Sequence, residues 1–214
     1  MGKIKWQAVF FDFDGVILDS VDVKTRAFAA LFRQYGPEIE HAVVDYHLAN
    51  GGVSRFEKFK YYYRHLLQKP ITQEELDDLN REFTRLALEG VLAAPYIDGA
   101  METLECLRQH KVPAFVVSGT PHEEMQFIVE HRNLTSYFHE VHGSPREKHE
   151  IVKDIASRYS YRLQDCLFVG DAMTDYDAAQ ACGTDFMGIY SGSNPPFPKG
   201  TMLLERVMIT ENRQ

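Results

Sequence analysis

Six residues of this sequence are of the types that could carry out phosphoryl transfer, namely Asp12, Asp14, Ser118, Lys148, Asp171 and Asp175. Four carboxylates brought together would be hard to keep ionised, because two of them about 4 Å apart repel by roughly 4 kcal/mol at an effective dielectric constant of about 20. A cation would relieve that repulsion, and an all-oxygen ligand set with access to water favours Mg²⁺ over zinc or copper. Mg²⁺ beside a hydroxyl group and a lysine is suited to phosphoryl transfer.

The first two aspartates directly follow an apolar segment. Asp12 and Asp14 come after Ala8 to Phe11, a continuous apolar run typical of a strand buried on both faces. Two carboxylates at the end of such a strand can both face one cleft. Alternatively, the same pair could form an ordinary turn that leaves the strand.

The hydroxyl group follows a second apolar run, at residues 112–117. After Ser118, the sequence predicts a helix with Thr120 as its N-cap and Pro121 as its first residue. The free N–H groups of a helix start favour phosphate binding, although Ser118 could equally be a plain loop residue.

The remaining candidates stand at two further predicted helix starts. Asp171 and Asp175 follow the apolar run at residues 166–169, where acidic residues can also act as simple caps. Lys148 follows Ser144-Pro145-Arg146-Glu147, a sequence that predicts a capping box. A lysine in that position is normally a solvated surface residue.

Apolar runs alternate with helical patterns along most of the chain, and a weaker apolar run covers residues 185–189. This alternation predicts right-handed crossovers and a doubly wound, Rossmann-like α/β fold with a parallel sheet. Such sheets bind ligands beyond the carboxyl ends of their strands, which is where the candidate residues lie.

The segment after the first strand interrupts this alternation with helical patterns alone. Capping boxes are predicted at Ser54 to Glu57 and at Thr72 to Glu75, the second opening a helix that stops near Gly90. A helical segment this long exceeds a single crossover. We therefore predict a helical cap domain at residues 17–93, inserted into an α/β core domain at residues 1–16 and 94–214.

Composition narrows the class of protein. The 214 residues carry a formal net charge of −8, and such an acidic surface makes nucleic acid a poor partner. Three cysteines do not form a disulfide framework, and the apolar stretch near the N-terminus is too short for a signal peptide or a membrane span. We expect a cytoplasmic protein, a monomer or homodimer, without membrane or nucleic acid partners.

In these motifs and their order, the chain resembles the haloacid dehalogenase-like (HAD) superfamily. The four motifs are Asp12-Phe13-Asp14-Gly15-Val16, Ser118, Lys148, and Gly170-Asp171 with Asp175. A helical insertion after the first motif is similar to the cap of the phosphoglycolate phosphatase and β-phosphoglucomutase branch. The resemblance implies a phosphatase that acts on a small phosphorylated metabolite.

The resemblance also implies roles for the aspartates. Asp12 attacks phosphorus and becomes an aspartyl phosphate, while Asp14 protonates the leaving oxygen and then activates water. Mg²⁺ is held by the Asp12 carboxylate, the Asp14 carbonyl and Asp171, with Asp175 supporting this sphere. In dehalogenases and phosphonate-cleaving members the position of Asp14 is not an aspartate, so Asp14 indicates phosphate-ester chemistry.

Further residues are implied to contact the substrate. Ser118 and the Gly119 amide bind the transferring phosphoryl group with Thr120 beside them, and Lys148 neutralises charge. Gly51 to Arg55 looks like a specificity loop, in which Arg55 would bind a second anionic group; a glycine turn with a solvated arginine is the alternative.

Two other functions stay open. One is a phosphosugar mutase, but Lys24 occupies the place where the similar mutases carry a histidine, which favours a phosphatase. The other is a receiver-type signalling domain, which also combines an acidic cluster, a hydroxyl group and a lysine, but which is shorter and is phosphorylated after a later strand.

Overall fold

A computed structural model describes residues 4–190 and 195–209 of the chain. Its central element is a parallel sheet with the strand order β3-β2-β1-β4-β5-β6. The strands are β1 (Ala8–Phe11), β2 (Ala114–Pro121), β3 (Glu140–Ser144), β4 (Cys166–Gly170), β5 (Asp185–Ile189) and β6 (Met202–Leu204). The predicted doubly wound α/β fold is confirmed.

Helices cover both faces of this sheet. Four of them belong to the core, namely α5 (Ala100–Gln109), α6 (His122–His131), α7 (Lys148–Tyr159) and α8 (Met173–Cys182). Alternate residues of β1 face opposite sides, so Phe11 packs with α5 and α6 while Phe10 packs with α7 and α8. Both sides of β1 are therefore buried, which explains why its sequence is continuously apolar.

Between β1 and the start of α5, the chain forms four further α-helices. They are α1 (Val21–Phe32), α2 (Pro37–Ala49), α3 (Arg55–Tyr61), which continues as a π-helical turn over Tyr62–Leu66, and α4 (Gln73–Ala93). Their apolar faces enclose a separate cluster of aromatic side chains that includes Phe28, Phe32, Phe59 and Tyr62. No helix among residues 4–190 and 195–209 is both long and apolar enough to span a membrane.

The predicted division into two domains remains a proposal, which this packing supports with one adjustment at its first boundary. Ile17 and Leu18, expected in the cap, are fully buried in the cluster that covers the sheet. Leu18 also bridges to Tyr96, and Ile97 donates a backbone hydrogen bond to Ile17. We therefore propose that the two connections between cap and core run side by side.

The helix ends follow the predicted capping signals only in part. Thr72 and Glu75 form the expected capping box at the start of α4, which continues past Gly90 to Ala93. The box predicted at Ser54 is incomplete. Ser54 Oγ accepts a hydrogen bond from the Phe56 amide, whereas Glu57 pairs with Lys60 at 2.7 Å.

Candidate active site

Three adjacent strands deliver the predicted motifs to the same edge of the sheet. Asp12 follows β1, Ser118 lies in β2, and Gly170 ends β4, and β2 and β4 flank β1 on either side. Asp12 is held in place by its amide, which donates to the carbonyl oxygen of Val169 over 2.9 Å. Because parallel strands end at a common edge, motifs far apart in sequence meet here.

Lys148 joins two of the predicted aspartates. Its Nζ atom lies 2.9 Å from Asp12 Oδ1 and 2.6 Å from Asp175 Oδ1, and all three side chains are buried. The other oxygen of Asp175 accepts a hydrogen bond from the Ala172 amide at 3.1 Å. Asp175 therefore orients Lys148 towards Asp12 and also fixes the first turn of α8.

The start of α7 differs from the prediction. The N-cap is Glu147, which forms a capping box with Glu150, and the helix begins at Lys148. The box predicted from Ser144 to Glu147 is wrong because β3 extends through Ser144, so that residue is still part of the sheet. The shift makes Lys148 the first helical residue, beside the edge that carries Asp12.

Asp14 is surrounded by donors from both the core and the cap. Its carboxylate accepts hydrogen bonds from Ser20 Oγ at 2.6 Å and from Thr120 Oγ1 at 3.0 Å, and it forms an ion pair with Lys24 of α1. Thr120 was predicted to cap α6, but β2 extends to Pro121, which is the N-cap itself. The Thr120 hydroxyl is therefore available to bridge Asp14 and Lys24, whose Nζ lies 2.6 Å from it.

Charge and burial give the two core carboxyls contrasting properties. Burial raises the pKa of Asp12 to about 7, with Lys148 opposing the rise and Asp175 adding to it. Burial would also raise the pKa of Asp14, but the charge and hydrogen bond of Lys24 outweigh this and lower it. The environment of Asp12 thus disfavours its negative charge, whereas the environment of Asp14 favours it.

Two further charged groups of the cluster are shifted as well. Burial raises the pKa of Asp171 well above its usual value, and Asp12 and Asp175 act in the same direction. Burial would lower the pKa of Lys148, but the two carboxylates in contact with it raise it instead. Lys148 is therefore cationic, and it compensates only part of the negative charge around it.

The acidic cluster fits a hard divalent cation. Asp12, Asp171 and Asp175 each offer a carboxylate oxygen within 4.8 Å of the others. No hydrogen-bond donor among residues 4–190 and 195–209 contacts the Asp171 side chain, and the charge of Lys148 only partly offsets its burial and the neighbouring carboxylates. All-oxygen donors of this kind suit Mg²⁺. The Asp14 side chain is engaged by Lys24 and Ser20, which leaves only its carbonyl for such a role.

A cap loop closes over this edge of the sheet. The carbonyl oxygen of Gly51 accepts a hydrogen bond from Thr174 Oγ1 at 2.9 Å. A Cβ atom at Gly119 would overlap the carbonyl oxygen of Gly52, so this close contact requires glycine. Beneath the loop lies a cavity of about 320 Å³, lined by core residues such as Asp12 and Ser118 and by cap helices.

Arg55 lines this cavity but is already paired with the core. Its side chain is buried, and its Nη1 atom lies 2.9 Å from Glu124 Oε2 on α6. Thr84 Oγ1 donates to the same oxygen at 2.8 Å, and the guanidinium group lies over the Phe83 ring. The alternative of a solvated arginine is therefore wrong, and the expected anion site at Arg55 is occupied by a carboxylate of the protein.

Sequence reasoning missed several groups at this site. The sequence shows Lys24 only as a departure from the similar mutases, whereas the structure places it one turn into α1 and against Asp14. The sequence gives no indication of a role for Ser20 or Glu124 at this site. Neither residue stands in a distinctive pattern, since each acquires its role from a contact between the cap and the core.

Comparison with known proteins decides the family. The model of the haloacid dehalogenase-like hydrolases matches residues 6–183. The chain belongs to this family. A phosphoglycolate phosphatase of Aliivibrio fischeri is 26% identical over 204 residues, which cover 87% of this chain and 85% of the relative. The expected enzyme class, a phosphoric monoester hydrolase, is thereby confirmed.

Solved structures share the fold. A predicted phosphoglycolate phosphatase from Haemophilus somnus has a TM-score of 0.74 at 20% identity and covers 96% of both chains. A protein assigned provisionally to the β-phosphoglucomutases, from Bacteroides vulgatus, has a TM-score of 0.74 at 17% identity, with 95% of this chain and 85% of that chain covered. At these identities the likeness shows a shared fold, which agrees with the fold predicted from the sequence.

Proposed function

We propose that this hydrolase is a Mg²⁺-dependent phosphatase that cleaves a small phosphorylated metabolite through an aspartyl-phosphate intermediate on Asp12. The observation that carries the proposal is the contact of Lys148 Nζ with Asp12 Oδ1, because Asp12 lines the cavity. An ammonium group beside the attacking carboxylate lowers the repulsion between that carboxylate and an incoming phosphate dianion.

Asp12 and Asp14 divide the chemistry in this proposal. Asp12, whose charge a cation held by the acidic cluster would favour, attacks phosphorus. Asp14 in its protonated form gives a proton to the leaving oxygen and later takes one from water. Ser20, Lys24 and Thr120 fix the orientation of Asp14 during both steps. The shared family and the common sheet edge support this division.

Other residues bind the transferring group. Ser118 Oγ accepts a hydrogen bond from the Thr120 amide at 3.1 Å, which leaves its proton free to donate to a phosphoryl oxygen. The Gly119 amide, in the cavity lining, and Lys148, beside Asp12, supply further donors. Mg²⁺, when held by Asp12, Asp171, Asp175 and the Asp14 carbonyl, would neutralise charge on the phosphoryl oxygens.

The relative from Aliivibrio fischeri suggests phosphoglycolate as the first substrate to test. Wild-type protein with Mg²⁺ should release phosphate from 2-phosphoglycolate and from p-nitrophenyl phosphate. Asp12→Asn should abolish release while the protein stays folded by circular dichroism. The matched control is Asp45→Asn, on the exposed surface of α2, which should retain wild-type rates. Near wild-type activity of the Asp12 variant would refute the nucleophile.

The same assay separates the alternatives. A phosphosugar mutase would convert a hexose 1-phosphate to its 6-phosphate with no net phosphate release. We expect release instead, since Lys24 neutralises Asp14 at the place where the similar mutases carry a histidine. A receiver-type domain would accumulate a stable phosphoprotein without turnover, which membership of the hydrolase family does not favour.

A further inference from the structure

Two basic side chains are buried inside the cap. His47 of α2 is 7% exposed and Lys58 of α3 is 2% exposed. Lys58 Nζ lies 2.8 Å from His47 Nδ1 and 3.3 Å from the His47 carbonyl oxygen, and it sits over the Phe28 ring. Within the described ranges, no carboxylate forms an ion pair with this ammonium group. Buried lysines are normally paired, so an unpaired one calls for an explanation.

His47 adds an unused donor to the pair. Because Lys58 has only protons to give, His47 Nδ1 accepts from it, and the ring proton must then be on Nε2. Nε2 is buried and makes no hydrogen bond to any described residue. The Val21 carbonyl lies close enough to raise the pKa of the ring, but it forms no hydrogen bond with Nε2. Buried polar atoms are rarely left without a partner, unless a ligand or water supplies one.

Both side chains line the cavity that contains Asp12 and Ser118. Burial lowers the pKa of Lys58 to about 7, with Lys24 acting in the same direction and the carboxylates of Asp14 and Asp171 only partly opposing it. Burial lowers the pKa of His47 to about 3, and the charge of Lys58 adds to this. These shifts are expected where positive charge is buried without a counter-ion, and an anion in the cavity would supply one.

We propose that Lys58 and His47 form an anion subsite in the cap, which binds a second anionic group of the substrate while its phosphoryl group faces Asp12. The subsite accepts a carboxylate or a second phosphate through the Lys58 ammonium and the His47 Nε2–H. It binds the second anionic group that Arg55 was expected to bind, because the Arg55 guanidinium is paired with Glu124. The proposal rests on the phosphatase function proposed above.

The test compares probes that differ only in the second group. 3-Phosphoglycerate and glycerol 3-phosphate differ by a carboxylate and test whether the subsite binds that group. Fructose 1,6-bisphosphate and fructose 6-phosphate differ by a second phosphate and test whether it binds that one. Released phosphate gives kcat/KM for each. The wild type should prefer the doubly anionic member of at least one pair by about tenfold or more, the effect of one hydrogen bond to a charged group. The pair that shows the preference identifies the group.

Variants then assign the preference to the subsite. Lys58→Met and His47→Phe should each reduce it by about tenfold, chiefly through KM, because each removes one hydrogen bond to the charged group. Lys60→Met is the matched control, since Lys60 is exposed on the same helix and pairs with Glu57, and it should keep the wild-type preference. Circular dichroism verifies folding of each variant.

The outcomes distinguish the two proposals. Phosphate release with no preference in either pair, or a preference that both variants retain, would overturn the subsite and leave the phosphatase intact. If neither variant folds, the wild-type ratios alone decide, and ratios near one overturn the subsite. No phosphate release from any probe, including p-nitrophenyl phosphate, would overturn the phosphatase itself.

Discussion

Nη1 of Arg55, in the cap, lies 2.9 Å from Oε2 of Glu124, in the core. This ion pair is largely buried, with side-chain exposures of 4% for Arg55 and 13% for Glu124, and it connects α3 to α6. Removing one partner would leave the other charge buried and unpaired, which typically costs about 3–5 kcal/mol. The pair is therefore a structural connection between the two parts of the molecule that enclose the cavity.

Arg55→Ala should raise KM for the true substrate, because the cap then closes less firmly over the core. If Arg55 acts through its ion pair with Glu124, Glu124→Ala should raise KM to a similar extent. The double variant should then have a KM no higher than that of either single variant. Steady-state kinetics of the three variants check this. A lower KM in Glu124→Ala would contradict it, since that result would mean that the freed guanidinium binds substrate directly.

Lys24 should control the ionisation of Asp14. Its positive charge lowers the pKa of Asp14 against the effect of burial, so Lys24→Met should raise that pKa. As a general acid, Asp14 must be protonated, and the falling limb of the kcat/KM profile should therefore move to higher pH in Lys24→Met. We also expect kcat to fall by about tenfold or more because Asp14 loses an orienting partner. Lys24→Arg is the control that keeps the charge, and identical profiles for the wild type and Lys24→Met would refute the coupling.

Removal of divalent cations should silence the enzyme. EDTA is expected to abolish phosphate release, and added Mg²⁺ to restore it. Asp171→Asn should weaken Mg²⁺ binding by about tenfold or more in calorimetry, because the cluster loses the carboxylate that no described donor contacts. Asp45→Asn should bind Mg²⁺ like the wild type. Activity that is insensitive to chelation would disprove the metal requirement.

Glu140 should contribute to stability in a pH-dependent manner. Hydrogen bonds from Arg158, with both nitrogens at 2.7 Å, lower the pKa of Glu140 to about 2 despite partial burial. Since the folded value lies below the unfolded value of 4.5, this stabilisation is present above the unfolded pKa and is lost as pH falls towards about 2.

Urea unfolding near neutral pH should show Glu140→Gln less stable than the wild type by about 1 kcal/mol. The difference should shrink as pH falls from about 5 to about 2. Glu105→Gln removes an exposed pair with Arg108 and serves as the control, with a smaller effect at every pH. If the difference in unfolding free energy between Glu140→Gln and the wild type stayed constant across this pH range, the Glu140–Arg158 pair would not be its cause.

The sheet was predictable where its strands are buried on both faces. The limits of β1 and β5 agree with the apolar runs from which they were predicted. β3 was missed because it is an edge strand in which Glu140 and His142 replace apolar residues, and their side chains pair with each other at 2.7 Å. β6 is only three residues long and also lies at an edge, so it has little apolar signal. The segment from residue 191 onward was not interpretable from sequence, and residues 191–194 and 210–214 lie outside the described part of the chain.

The meeting of Asp12, Ser118 and Gly170 at one sheet edge was predictable because neighbouring parallel strands end at a common edge. The contacts of Lys24, Glu124 and Lys58 were not, because they depend on how the cap helices lie on one another and on the core. A lysine in an amphipathic helix gives no local signal of burial. The cap helices therefore hold the contacts that the sequence could not reveal, and several of their side chains line the cavity.

The most direct test of the account is to trap the phosphorylated enzyme. A phosphate ester with a radiolabelled phosphoryl group is mixed with the enzyme and Mg²⁺, and the reaction is quenched in acid within one turnover. We predict label on the peptide that contains Asp12 in the wild type and none in Asp12→Asn. Label on any other residue, or turnover with no labelled protein at any quench time, would contradict the central claim.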